Sequence, residues 1–365
     1  MRTIARRMGK LDSSGIRKVF DLAREMENPV NLSIGQPHFD IPPEIKTAAI
    51  DSINQGLNQY TVTQGIPELR EGIMEGLFPA GPSHGEEILI TSGTSGGLFL
   101  AFLVLVDPGD EVLIPDPYFV MYKHLVNLCD GKPVFVDTYP DFRLTAERIE
   151  PRLTPRSKLL ITNSPTNPTG AVWSEAEMNE IIDLARRRDL ILISDEIYSA
   201  YTYDGPPVTA AGRYENLLLL NGFSKSHAMT GWRIGFAVGP AEIIREMTKL
   251  QQFSFVCAPS FAQRAAREAL ELDTSSHVND YRRKRDMIWE GLRGKYDLQR
   301  PQGAFYAFPR VPHGTGQEFA AEAIKNNLLV IPGEVFSERD THFRIAYAAN
   351  DETIRRGIEI LNSMV

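Results

Sequence analysis

The segment NGFSKSHAMTGWRIG, residues 221–235, follows an apolar run at 217–220 and leads into another at 234–238. These runs predict two buried strands, so Lys225 is expected in a polar loop between them. An amine in such a loop can lose its proton through partial desolvation and neighbouring positive charge, and a neutral amine can form a Schiff base with a carbonyl group. Arg233 carries a planar guanidinium group that suits a phosphate. A solvated loop lysine is the simpler interpretation, and the rest of the chain decides between the two.

Length and composition are those of an ordinary globular protein. The chain has 365 residues, of which 42% are hydrophobic and 24% charged, so it can bury a large core and form two domains. The formal net charge is −8 and no basic run occurs, which argues against a nucleic-acid partner. The longest apolar run, at 98–106, is too short to span a membrane.

Cysteine usage and the N-terminal sequence favour a cytoplasmic location. Cys129 and Cys257 do not form a C-x-x-C pair, so neither a zinc motif nor a redox motif is predicted, and we predict no metal site. The basic start, MRTIARRMGK, is not followed by an apolar stretch, so no signal peptide is predicted.

Strand and helix patterns alternate along residues 88–240. Further apolar runs predict strands beginning at residue 88 and at 111–114, 133–137, 158–162 and 190–194, with helices beginning at about Ser95 and at 175–188. This alternation predicts an open α/β sheet that is mostly parallel. Polar motifs follow apolar strands near residues 94, 119, 167, 195 and 225. Ligands bind outside the carboxyl ends of strands in such sheets, so these motifs are expected to meet at one edge.

Each motif has a chemical use and a simpler structural one. The turn SGTSGG at 92–97 can offer free backbone N–H groups and a helix dipole to a phosphate, or it can simply pack a strand against a helix. The amide of Asn167 can donate to a ring hydroxyl or phenolate. Asp195 can pair with a protonated ring nitrogen that Tyr198 also reaches, or cap a helix. Phe119 can stack on a planar ring or fill the core.

After about residue 242 the pattern indicates a second, smaller α+β unit. Helices are predicted at 278–292, 319–327 and 352–364, and strands at 303–308, 328–331 and 343–347. Arg344 lies inside the last strand, where a buried charge needs either a structural ion pair or a substrate carboxylate.

The N-terminal part of the chain supplies further predicted elements. Helices are expected from Ser13 or Ser14 to Met26 and at 43–56. A short strand precedes a Gly/Pro turn in NLSIGQPHFD, residues 31–40, where Gly35 leaves room for a ligand.

Three motifs carry a family resemblance through their order and spacing: NSPTNPTG at 163–170, SDEIY at 194–198 and SKSHAMTGWR at 224–233. Together they resemble the class I/II pyridoxal-phosphate-dependent aminotransferases of fold type I, in the branch that contains aspartate and aromatic amino acid aminotransferases. The resemblance extends from LSIGQPHFD at 32–40 to FRIAY at 343–347, which is essentially the whole chain.

The resemblance implies a fold, a cofactor and a reaction. The fold would be a large domain at 43–250, with a mostly parallel sheet flanked by helices, and a smaller discontinuous α+β domain from 1–42 and 251–365. The cofactor would be pyridoxal 5'-phosphate (PLP), held as a Schiff base. The reaction would transfer an amino group from an L-amino acid to a 2-oxo acid by a ping-pong path.

Roles at the cofactor ring carry over residue by residue. Lys225 matches the lysine that forms the Schiff base and later moves the proton. Asp195 matches the carboxylate on the pyridinium nitrogen, and Phe119 the aromatic residue that stacks on the ring. Tyr198 and Asn167 match the partners of the phenolic oxygen.

Roles at the phosphate and the substrate carry over in the same way. Gly93, Thr94 and Ser95 match the phosphate-binding turn, which Arg233 joins. Gly35, Asn167 and Arg344 match the groups that bind the substrate's α-carboxylate. Tyr60 matches a tyrosine that reaches the phosphate of the neighbouring subunit, which implies a homodimer with shared active sites.

The chain departs from the family pattern at two places. Gly222 stands where many relatives have a serine that contacts the phosphate, so Ser224 is expected to make that contact. The chain is also short for a member of this family, chiefly around residues 77–87.

Other functions share these motifs. A PLP-dependent lyase, such as a cysteine-S-conjugate β-lyase or a relative of aminocyclopropane-carboxylate synthase, stays open as the alternative. A regulator built on a degenerate domain is disfavoured, because the lysine and its partners are all present.

The donor amino acid is predicted from the segment after the lysine. Phe253 and Phe255 lie where acid-specific relatives have a cation, which favours aromatic or other apolar donors or a broad donor range. Lys249, Arg264 or His38 could supply the missing charge instead.

Overall fold

The computed structural model describes residues 4–12, 15 and 26–365. At its centre is a seven-stranded sheet whose strands run in the order β2-β8-β7-β6-β5-β3-β4. These strands are β2 (Glu86–Ser92), β3 (Glu111–Asp116), β4 (Lys132–Asp137), β5 (Ser157–Asn163), β6 (Ile191–Asp195), β7 (Leu217–Gly222) and β8 (Ile234–Pro240). β8 pairs antiparallel with both β7 and β2, and the other pairs are parallel. The prediction of a mostly parallel α/β sheet is confirmed.

Helices cover both faces of this sheet because its strands are apolar on both sides. Along β7, Leu218 and Leu220 pack with one set of helices, while Leu217 and Leu219 face the other side. Side chains alternate along a strand, so an unbroken run of leucines serves both layers. The helices are α1 (Pro43–Asn54), α2 (Pro67–Leu77), α3 (Gly93–Leu105), α4 (Met121–Leu128), α5 (Ala146–Ile149), α6 (Glu175–Arg187), α7 (Ala241–Gln252) and α8 (Ser260–Ala269).

A smaller α+β unit is built around two further sheets. β11 (Ile331–Pro332), β12 (Phe343–Ala346) and β9 (Tyr306–Ala307) form an antiparallel sheet, and β1 (Val30–Asn31) pairs in parallel with β10 (Leu328–Leu329). The helices here are α9 (Ser275–Leu292), α10 (Gly316–Lys325) and α11 (Asp351–Ser363). Their shared core is rich in Tyr and Phe side chains.

Several boundaries differ from the sequence predictions. The single strand predicted at 328–331 is two strands, because the chain leaves its pairing with β1 and joins β12 around Val330. The helix predicted from about Ser95 begins at Gly93. Most of the helix predicted from Ser13 or Ser14 to Met26 lies outside the described residues.

The division of the chain into two units near residue 250 stays a prediction. Beyond that point, α8 packs against α1 and α2 beside the large sheet. Among the described residues, no helix combines the length and the apolar character that crossing a bilayer requires.

Candidate active site

The polar motifs that follow the central strands meet at one cavity of about 260 Å³. Most of the predicted site residues line it: Gly35, Thr94, Ser95, Phe119, Asn167, Asp195, Tyr198, Ser224, Lys225, Arg233 and Arg344. The lining also includes side chains that the sequence reasoning did not assign to the site: Leu98, Tyr122, Asn163, Ile197, Thr230 and Tyr306. Of the predicted residues, Gly93 lies next to the cavity and Tyr60 lies outside it.

Lys225 presents its amine inside the cavity. Its Nζ donates a hydrogen bond to the backbone carbonyl oxygen of Gly35 at 2.6 Å. Burial lowers the pKa of Lys225 to about 8, and the positive charges of Arg344 and Arg233 act in the same direction. The amine is therefore much closer to the neutral, nucleophilic form than a solvated lysine would be.

Asp195 is a buried carboxylate at the end of β6. Its Oδ2 accepts a hydrogen bond from the hydroxyl of Tyr122 at 2.7 Å, and its Oδ1 accepts one from the backbone N–H of Ile197 at 3.2 Å. Burial raises the pKa of Asp195 to about 6, while the Tyr122 bond acts in the opposite direction. A protonated ring nitrogen is a partner that would favour the ionised form of this group.

Arg344 is 1% exposed and lies between two aromatic rings. Its guanidinium carbon is 4.6 Å from the ring centre of Tyr306 and 4.5 Å from that of Phe336. The group donates to Asn167 Oδ1 at 3.0 Å and to the carbonyl oxygen of Ser33 at 2.8 Å, whereas its Nε has no hydrogen-bond partner in the described structure.

Arg344 makes no ion pair with any carboxylate in the described part of the chain. The structural ion pair that the sequence left open as a role for Arg344 is therefore not formed among the described residues. A buried cation with a free N–H group suits a carboxylate ligand.

Asn163 forms hydrogen bonds with both Asn167 and Asp195. Its Oδ1 accepts from the backbone N–H of Asn167 at 3.0 Å, and its Nδ2 donates to the backbone carbonyl oxygen of Asp195 at 2.8 Å. The side chain thus links the ends of neighbouring strands β5 and β6. Asn163 stood within a motif quoted from the sequence, but its linking role depends on which strands are neighbours.

Part of the cavity lining suits an anion. Helix α3 begins at Gly93, and its next two residues, Thr94 and Ser95, line the cavity together with Arg233. The first turn of a helix carries free N–H groups, which favour anions. The Arg233 guanidinium donates to the carbonyl oxygens of Thr230 at 2.8 Å and Ser92 at 3.4 Å. A Cβ on Gly93, which has a φ of 67°, would lie 2.5 Å from Arg233 Nη2. Gly93 therefore makes room for the arginine instead of lining the cavity.

The first turn of α3 lies on bare backbone. Gly222 and Gly235 are direct partners in the β7–β8 pair. A Cβ on Gly235 would lie 2.6 Å from the backbone nitrogen of Thr94, and one on Gly222 would lie 2.8 Å from Gly235 Cα. Gly222, noted above as a departure from the family, thus belongs to a glycine pair under the start of α3. Ser224 is buried in the cavity wall, and its contact with a phosphate stays a prediction.

Tyr306 and Tyr122 could not be found from their local sequence. The hydroxyl oxygens of Tyr306 and Tyr198 are 2.7 Å apart, and both side chains are buried. Tyr306 lies opposite Ala346 in the β9–β12 pair, so it shares a sheet face with Arg344. Only the strand register reveals this. Tyr122 lies three residues after Phe119 in the sequence, but this spacing gave no indication of contact with Asp195.

Tyr60 is 83% exposed and belongs to an apolar surface that we call the Tyr60 face. Two neighbouring segments form this face, because Gln251 donates from Nε2 to the carbonyl oxygen of Thr63 at 2.9 Å. The Tyr60 face consists of Tyr60, Val62, Phe253, Phe255 and Val256, all of them exposed.

Comparisons with known proteins identify the family of this chain. Residues 27–361 match the family described as aminotransferase class I and II. A probable aspartate aminotransferase of Methanocaldococcus jannaschii is 36% identical, with 99% of each chain covered. An aromatic-amino-acid aminotransferase 2 of Thermococcus litoralis is also 36% identical, over 98% of this chain and 97% of the relative. The solved structure of the aspartate aminotransferase from Thermus thermophilus with maleate superposes with a TM-score of 0.94, at 34% identity and full coverage of both chains.

These relatives confirm three predictions: the fold type I class, the resemblance to the aspartate and aromatic branch, and the activity of an aminotransferase. The lyase alternative finds no better support among them. The chain belongs to the class I and II aminotransferase family.

Proposed function

We propose that PLP binds in this cavity and that the protein uses it to move an amino group from an L-amino acid to a 2-oxo acid. One observation supports the proposal most directly. An amine with a lowered pKa, Lys225, and a buried carboxylate, Asp195, line the same cavity. PLP presents an aldehyde, a ring nitrogen, a phenolic oxygen and a phosphate, and the lining offers a group suited to each.

Different lining residues would bind different groups of the cofactor. Lys225 would hold the aldehyde carbon, and Asp195 the ring nitrogen. Arg233 and the start of α3, with Thr94, Ser95 and Ser224, would hold the phosphate. Tyr198 and Asn167 would bind the phenolic oxygen, with Phe119 against the ring face.

The chemistry of the protein itself is proton movement and orientation. When bound, the cofactor supplies an electron sink that makes the substrate's α-hydrogen acidic. Arg344, helped by Asn167, would bind the α-carboxylate and so direct the α-hydrogen toward Lys225. Once the amino group of the substrate has replaced Lys225 on the aldehyde carbon, the released amine of Lys225 would take the proton from the α-carbon and deliver it to the cofactor's C4′. Water would then release the 2-oxo acid and leave the amino group on the cofactor, and a second 2-oxo acid would reverse the path, which gives ping-pong kinetics.

The cofactor assignment predicts a covalent attachment to one lysine. Borohydride reduction of the yellow holoenzyme, followed by peptide mapping, should place the cofactor on Lys225. Lys284 is an internal control, because it is also buried and its pKa is also lowered, yet it lies outside the cavity lining. Lys225→Ala should bind the cofactor without a covalent bond and lose turnover. Label on Lys284 or on any other lysine would contradict the assignment.

We further propose that apolar and aromatic amino acids are better donors than aspartate. The cations in the described lining are Lys225, Arg233 and Arg344, and each already has a role, so the described lining holds no further cation for a side-chain carboxylate. Lys249 pairs with Glu246, and His38 bonds to Lys284 and Tyr281. The relatives are named for both aspartate and aromatic substrates and do not decide the matter.

Donor preference is measured by kcat/KM for phenylalanine, leucine, aspartate and glutamate with 2-oxoglutarate as acceptor. We expect phenylalanine to exceed aspartate, because an apolar pocket leaves the aspartate side chain unpaired. Glutamate serves as the reference donor, since the acceptor regenerates it. If aspartate exceeds phenylalanine by more than about tenfold, or ~1.4 kcal/mol in transition-state binding, the pocket is acid-specific.

We also propose a homodimer with shared active sites, in which the Tyr60 face meets a second copy. An apolar surface with an 83% exposed tyrosine and an 85% exposed Phe253 is costly to leave in water. The face borders the site: the ring of Phe255 would lie 3.8 Å from a Cβ on Gly96, within the first turn of α3. Tyr60 of one subunit would then reach the phosphate end of the other cavity.

We also propose that the protein is cytoplasmic. Cys129 and Cys257 are both free thiols, as is usual in a reducing compartment.

A further inference from the structure

Tyr306 contacts three separate parts of the active site. Its hydroxyl oxygen is 2.7 Å from that of Tyr198. Its ring lies against the guanidinium of Arg344, at 4.6 Å. Its hydroxyl also fills the space beside Gly35, where a Cβ would overlap it, and the carbonyl oxygen of Gly35 is the group that holds Lys225. Gly35, predicted to leave room for a ligand, thus leaves room for Tyr306.

The two tyrosine hydroxyls form a closed pair. Each hydroxyl carries one proton and can also accept, and within the described structure neither has another hydrogen-bond partner. In the pair alone, either oxygen can be the donor. A third oxygen that accepts from Tyr198 would remove this ambiguity, because the proton of Tyr198 would then be engaged and Tyr306 would have to donate.

We propose that Tyr306 is a positioning residue that donates to Tyr198 and so directs the proton of Tyr198 toward the cofactor's phenolic oxygen. This inference rests on the proposed function. A hydroxyl that accepts a hydrogen bond becomes a better donor itself, so the two bonds strengthen each other. The contact of the Tyr306 ring with Arg344 places this relay beside the group that binds the substrate carboxylate.

The relay has a spectroscopic consequence. In the bound cofactor, the phenolic oxygen and Lys225 Nζ would share one proton. A hydrogen-bond donor to the phenolic oxygen stabilises the form that has lost this proton. A weaker donation from Tyr198 should therefore raise the pH at which the bound cofactor changes colour. Tyr306→Phe removes only the hydroxyl and keeps the ring against Arg344, which makes it the appropriate variant.

The test is a pH titration of the cofactor's absorbance in the holoenzyme. Tyr306→Phe should raise the midpoint by about 0.4 to 1 pH unit, the equivalent of one hydrogen bond. Tyr347→Phe is the matched control: Tyr347 belongs to the same aromatic core, but its hydroxyl bonds to the carbonyl oxygen of Ala304 and lies outside the cavity lining. Its midpoint should equal that of the wild type.

A double-mutant cycle separates the relay from a general disturbance. In a Tyr198→Phe background, Tyr306→Phe should shift the midpoint no further, because the hydroxyl has lost its acceptor. Gly35→Ala provides a second route, since its methyl group displaces the Tyr306 hydroxyl while both tyrosines remain. It should shift the midpoint upward in the wild type and have a smaller effect in Tyr306→Phe.

The outcomes distinguish the two proposals. An unchanged midpoint in Tyr306→Phe, or an equal shift with and without the Tyr198 hydroxyl, overturns the role of Tyr306 and leaves the proposed function standing. A wild-type protein that shows no cofactor absorbance overturns the proposed function, and this inference with it.

Discussion

The hydroxyl of Tyr122 favours the ionised form of the carboxylate that defines the site. Burial pushes the pKa of Asp195 up to about 6, and the hydrogen bond from Tyr122 works against that rise. A neutral carboxyl group could not attract a protonated ring nitrogen. Tyr122 therefore widens the pH range over which Asp195 is useful.

Tyr122→Phe should weaken cofactor binding more at pH 6 than at pH 8. Without the hydroxyl, the pKa of Asp195 rises further, so a larger fraction of the carboxyl is protonated at pH 6 while most of it is still ionised at pH 8. A lost hydrogen bond to a charged group predicts about a tenfold loss of affinity at the lower pH. The measurement is the cofactor dissociation constant at both pH values.

Tyr214→Phe is the control for this experiment. The Tyr214 hydroxyl is also buried beside the large sheet, but it donates to the carbonyl oxygen of Leu190 and lies outside the cavity lining. An equal loss at pH 6 and pH 8 in Tyr122→Phe would mean that the hydroxyl acts on the packing and not on the charge of Asp195.

At the level of single residues, the sequence predicted the groups whose chemistry follows from type and position. Asp195 ends an apolar strand, and Lys225 and Asn167 lie in the loops that follow two others, and the ends of parallel strands meet. Tyr122 and Tyr306 act through contacts with residues 73 and 108 positions away, as the hydrogen bonds to Asp195 and Tyr198 show. Helix packing and strand register set those contacts, and neither can be derived from one chain's periodicity.

The element that most constrains the site is the start of α3. Its first turn lies on the bare backbone of Gly235, and its first residue, Gly93, makes room for Arg233. The residues between β7 and β8 supply Lys225, and β8 runs antiparallel to its neighbours, so its first residues return to the same edge. The sequence showed that glycines in this region allow other groups close to the backbone, but it did not show which group approaches each glycine.

Gly93→Ala should weaken binding of the cofactor's phosphate by tenfold or more, because the new methyl group would displace the Arg233 guanidinium. The affinities of the apoprotein for PLP and for inorganic phosphate measure this loss. Gly85→Ala is a matched control, since Gly85 has a similar φ of 71° but no atom within 4 Å of an added Cβ. Both variants should lose about 1 kcal/mol of stability from backbone strain. A similar affinity loss in the control would show that strain, and not Arg233, is responsible.

On the scale of the whole molecule, the exposed position of Tyr60 predicts that activity can be restored between two inactive chains. Lys225→Ala and Tyr60→Phe subunits should each be impaired alone. A hybrid dimer has one site with both defects and one with neither, so equal mixing followed by joint refolding should restore about a quarter of the wild-type sites.

The control is Lys225→Ala mixed with a chain that carries both substitutions, since no combination of these chains contains an intact site. Shared sites are excluded if the first mixture is no more active than its separate components and the protein sediments as a monomer.

The described lining of the cavity holds three cationic side chains, Lys225, Arg233 and Arg344, and one carboxylate, that of Asp195. Such a cluster opposes folding until an anion joins it. A ligand that binds only the folded chain adds about 2.7 kcal/mol to the free energy of unfolding at a hundredfold excess over its Kd. Proteases remove the chains that open most often. On the proposed function, a cell that is short of PLP should therefore contain fewer copies of this protein, and its abundance should follow the cell's supply of that cofactor.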